Sequence, residues 1–93
     1  MARSPVRMSE GRAELLALEV LAFLAADADV LARFAEQSGF DIQSIRDRAA
    51  EPDFLASILE FLLADEVLVV DFCDTASTDA RDLHMAQHLL SGA

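Results

Sequence analysis

His84 and His88 stand four residues apart, and two imidazoles at that helical spacing can share one metal ion. The zinc-hydrolase form of this pair needs a glutamate directly after the first histidine, where this chain has Met85. Projected at about 100° per residue, Leu83, Met85, Ala86, Leu89 and Leu90 share one arc, with His84, His88 and Arg81 opposite. A neighbouring arginine opposes cation binding, so the pair reads as solvent-facing side chains near a helix C-terminus, which the dipole favours. Cys73 follows Phe72 on an apolar flank, and no cation or histidine lies near it in sequence to lower its pKa, which predicts a buried and inert thiol. Asp27/Asp29 and Asp65/Glu66 invite a hard cation, but an EF-hand-type loop counted from Asp27 would need glutamate where Ser38 stands. Helix capping accounts for both acidic pairs.

Ser44 and Ser57 each precede isoleucine, as does the phosphopantetheine-accepting serine of acidic helical carrier proteins. That serine follows an aspartate, and Gln43 and Ala56 stand here instead. With no glycine-rich phosphate loop and no nucleophile–base pair, the sequence predicts no catalytic, cofactor-binding or metal-binding residue and no enzyme.

The elements that would carry these residues are helical. Among 93 residues, 17 are Ala and 14 Leu against three Gly and two Pro, a helix-forming composition of the size of one domain. Seventeen carboxylates face seven arginines and no lysine, and the net charge of -10 argues against nucleic acid or an anionic membrane as partner. A single cysteine fits a reducing cytoplasm. Arg3, Arg7 and Arg12 ahead of an apolar run resemble a secretory leader, but Glu14 and Glu19 interrupt that run, and no stretch is long enough to span a membrane.

Shifted by 38 residues, positions 15–50 fall on 53–88 with seven identities, where chance gives roughly three. Phe23-Leu24-Ala25-Ala26-Asp27 meets Phe61-Leu62-Leu63-Ala64-Asp65, Phe34 meets Phe72, and Asp41 meets Asp79. The stripe Leu16, Val20, Phe23, Leu24 recurs as Phe54, Ile58, Phe61, Leu62. Ser9, Asp27, Asp41, Asp65 and Asp79 read as N-caps, Pro52 as a first helical residue, and Gly39 as a left-handed stop. The predicted architecture is all-α: a flexible basic tail over residues 1–8, then one compact six-helix domain over 9–92, built from two pseudo-repeated three-helix units. The first helix, apolar nearly all round, is expected to be the most buried, with Phe23 and Phe61 as core anchors.

The blocks Phe23 to Asp27, Gly39-Phe40-Asp41, Pro52-Asp53-Phe54-Leu55 and above all Leu59-Glu60-Phe61-Leu62-Leu63-Ala64-Asp65-Glu66 resemble the bacterial family called domain of unknown function 3572. The likeness runs from about Leu15 to Leu90. Where family members often carry a proline soon after the turn glycine, this chain has Asp41 and Ile42. The resemblance implies a helical fold, a bacterial cytoplasmic setting and a signalling partner of the response-regulator class, and it carries over no catalytic residue.

These readings leave a protein–protein interaction or adaptor module as the expected function, with a second copy of the chain as one further partner. The candidate contact residues are Val67 and Val70, which stand off the Leu68, Val69, Phe72 stripe and align with Asp29 and Ala32 of the first unit. An acidic decoy that fills a basic site on a nucleic-acid-binding protein is the alternative.

Overall fold

The structure is a computed structural model that describes residues 8–92. Six α-helices follow in order: α1 Glu10–Ala25, α2 Ala28–Ser38, α3 Ile45–Arg48, α4 Pro52–Leu63, α5 Glu66–Ala76 and α6 Ala80–Leu90. A single 3₁₀ turn, Ile42–Ser44, leads into α3, and the described residues contain no strand.

α1, α2, α5 and α6 start where short polar side chains satisfy free N–H groups of a first turn. Ser9 Oγ accepts from the backbone N–H of Arg12 at 3.1 Å. Asp27 Oδ1 accepts from Asp29 N–H at 3.0 Å and Val30 N–H at 3.3 Å, and Asp65 Oδ1 accepts from Val67 and Leu68 at the same two distances. Pro52, with no N–H to satisfy, opens α4. Gly39 ends α2 at φ 75°, and its counterpart in the 38-residue register, Ser77, ends α5 at φ 52°, so the chain turns left-handed at both places before the next aspartate cap. Asp41 then accepts from Gln43 N–H at 3.0 Å and Asp79 from Arg81 N–H at 2.9 Å.

Beyond these corners the two halves differ. The last helix of the first half is the four-residue α3, whereas α6 runs for 11 residues. α1, α4 and α6 pack on one another as the central trio, with α2 against α1 and α5 against α4 at its edges. The most buried helix is α4, whose Phe54, Leu55, Ala56, Ile58, Leu59 and Leu62 are all buried. This corrects the expectation for α1: its Ala13, Leu16, Ala17, Val20 and Leu24 are fully buried, but Leu15 and Leu18 on its other side are 50% and 40% exposed. An all-round apolar helix is enclosed only where neighbours exist to cover it, and this chain places α4 between the others.

The aromatic core also shifts. Phe34, Phe54 and Phe72 are essentially inaccessible, while Phe23 and Phe61 are half-buried against the same cluster. Phe34 meets Phe54 edge to face at 5.9 Å and Phe61 at 5.4 Å, and Phe40 meets Phe54 at 4.8 Å. Residues 1–7 of the expected basic tail lie outside the described residues, and Met8 packs against the core.

Candidate functional site

The residues that could have carried metal or nucleophilic chemistry stand apart. His84 and His88 are exposed on α6, opposite buried Leu83, Ala86 and Leu90, and no group of three or more potential ligands forms among the described residues. Replacing both histidines with alanine is expected to move the melting temperature by no more than about 2 °C, because exposed side chains with no packed or bonded partner contribute little. A larger drop in a thermal melt would place one of them in the packing. Ser57 Oγ donates to the Asp53 carbonyl at 3.0 Å, a bond internal to α4. Cys73 is half-buried rather than buried; partial desolvation and the charges of Asp79 and Asp74 push its thiol pKa up, which leaves less thiolate at neutral pH than an ordinary cysteine has.

What α5 presents is a surface. Asp65 caps the helix, and Phe72 anchors it, 2% exposed and edge to face with Phe23 of α1 at 5.4 Å. Leu68, Val69 and Cys73 pack partly on the core. That anchoring leaves the opposite side of α5 outward, where Val67 is 69% and Val70 54% exposed. The two valines are one turn apart, and Glu66 and Asp71 flank them in the same open depression.

Asp71 also edges a second recess of about 270 Å³ where α5 meets the α1–α2 corner, lined by Phe23, Ala26, Asp27, Val30 and Leu68. The two concavities share an acidic rim, and no residue lining either one is cationic. Nearby, Arg33 is already engaged, with its guanidinium 3.5 Å from Asp65 and 5.7 Å from the Phe61 ring centre. The sequence had singled out Val67 and Val70 but had not joined them to Phe23 and Val30, which lie 37 or more positions earlier in the chain. The arrangement offers apolar contact area edged by negative charge.

A family model described as protein of unknown function (DUF3572) matches residues 10–93, nearly the whole chain. No curated protein and no solved structure matches the chain. No helix among the described residues is long and apolar enough to cross a membrane.

Proposed function

Since the chain belongs to the DUF3572 family, whose description names no reaction, we propose its role from its own surface: a non-enzymatic protein–protein interaction module. The observation that carries this reading is the exposed pair Val67 and Val70, apolar on an otherwise acidic helix face and continuous at Asp71 with the recess beside Phe23 and Val30. Open apolar side chains of this kind cost solvation in the free protein, and a partner that covers them recovers it.

Charge selects the kind of partner. Glu66, Asp71 and Asp27 edge the apolar contacts and Asp74 is exposed one turn beyond Val70, so the complement is an amphipathic helix with large apolar residues on one stripe and Arg or Lys beside it. The net charge of -10 draws such a surface in over roughly 8 Å at physiological salt, and the valines hold it. A cationic face on a cytoplasmic signalling protein has this chemistry. The acidic-decoy reading has weaker support, because every helix carries carboxylates and Asp27, Asp41, Asp65 and Asp79 are committed to backbone caps.

Val67→Asp with Val70→Asp tests the proposal. Covering each valine recovers about 1 kcal/mol, so the double variant is expected to bind the partner at least about thirtyfold more weakly while keeping its circular dichroism and melting temperature. Affinity capture from the native host, with mass spectrometry, supplies the partner, and titration calorimetry supplies the ratio. A folded double variant that retains every captured partner at unchanged affinity removes α5 as the binding face.

A further inference from the structure

The outward side of α1 carries a second, independent pattern. Gly11, Leu15, Leu18, Ala22 and Ala25 follow one another at alternating steps of four and three residues, and all five are exposed. These are the seam positions of a two-helix coiled coil, and they lie on the side of α1 opposite buried Leu16, Val20 and Leu24. Gly11 sits in the first turn of α1 at an ordinary backbone angle, with none of the other described residues within 4 Å of where a Cβ would be. None of the other described residues calls for glycine there, and in a helix it is less favourable than alanine. Close approach by another helix does call for it.

We propose that α1 pairs with α1 of a second copy of this chain, antiparallel, about a two-fold axis near Leu16 and Ala17. The charges choose both the occupant and the direction. With Leu15 seated against the other copy's Leu18, and Gly11 against its Ala22, Arg12 comes alongside the other copy's Glu19, and the two-fold repeats that ion pair. Arg12 and Glu19 are both exposed, and the ion pairs among the described residues are Arg33 with Asp65 and Arg48 with Glu51, so both are free to pair. On the opposite flank Glu14 meets the other copy's Leu21, not another carboxylate. A parallel pair would instead set Glu14 beside the other copy's Glu19, like against like. The seam is self-complementary, as a two-fold contact must be.

The 16 residues of α1 span about 24 Å, a small contact beside the ~1,600 Å² of a standard interface. The expected dimer is therefore weak, with a dissociation constant on the order of 100 μM. Sedimentation equilibrium from about 1 μM to 1 mM is expected to show the mass rising from 10.1 kDa towards twice that value. Leu15→Asp with Leu18→Asp should hold the protein monomeric with its fold intact by circular dichroism. Arg12→Glu and Glu19→Arg should each weaken the dimer about tenfold, and the two together should restore it.

Glu19→Arg separates this contact from general charge effects. It lowers the net negative charge, so long-range repulsion alone would make the dimer tighter, whereas the Arg12 pairing makes it weaker. A monomer at every concentration, a tighter dimer with Glu19→Arg, or no recovery in the exchanged double variant would each overturn the proposal. So would loss of the dimer in the Val67→Asp, Val70→Asp protein, because that result moves self-association to α5.

Discussion

Phe54→Ala is expected to cost about 3–5 kcal/mol, a large part of the roughly 5–14 kcal/mol available to a domain of this length. Phe54 is fully buried in the first turn of α4, and its ring lies edge to face with Phe34 at 5.9 Å and with Phe40 at 4.8 Å. Truncation removes the transfer energy of the ring, leaves a cavity between α2 and α4, and breaks two aromatic contacts worth about 0.5–1.5 kcal/mol each. Phe61→Ala, at a residue the sequence marks with Phe23 as a core anchor, should cost about half as much. Phe61 is only half-buried, so part of its ring already meets water. Urea unfolding of the two variants checks the order, and equal losses would show that the aromatic cluster is centred on Phe61.

The second large effect comes from adding atoms. Ala86 on α6 is fully inaccessible, as are Ala13 and Ala17 on α1, and α6 packs on both α1 and α4. A fully enclosed alanine on a helix packed against two others leaves no room for a larger side chain. Ala86→Leu forces the axes apart or the new side chain out of its rotamer, at about 1–3 kcal/mol. At about 4–8 °C per kcal/mol, a thermal melt resolves this easily. Ala32→Leu, on the exposed side of α2, is the control and should stay within about 0.5 kcal/mol. A wild-type melt for Ala86→Leu would mean that the α1–α4–α6 interface has room to spare.

The caps were legible in the sequence because their physics is local. Ser9, Asp27, Asp65 and Asp79 each reach an N–H two or three residues ahead, and no distant residue has to be known. Gly39 was legible for the same reason, whereas Ser77 was not, since serine seldom takes a left-handed turn and only its register with Gly39 marks it. The core ranking required the third dimension. Phe23, Phe61 and Phe54 look alike on a helical stripe, and only the arrangement of α2 around α4 decides that Phe54 is sealed and Phe61 is not. Val67 and Val70 stood out by contrast with Asp29 and Ala32. The outer seam of α1 was masked by the helix's general apolarity, although the spacing of Leu15, Leu18, Ala22 and Ala25 was there to be read.

The packing of α1 against α6 joins the first of the described helices to the last. At about 5–20 residues per second, the 65 residues from Ala26 to Leu90 take about 3–13 s to synthesise, and for that time α1 has no α6 to lie on. Neither can α4 complete the trio alone, because its other neighbour is also α6. The chain therefore cannot close its core from the N-terminus forward as it is translated. Closure of the core waits for α6, and until it is made α1, apolar over most of its surface, is available to whatever chaperone attends the nascent chain.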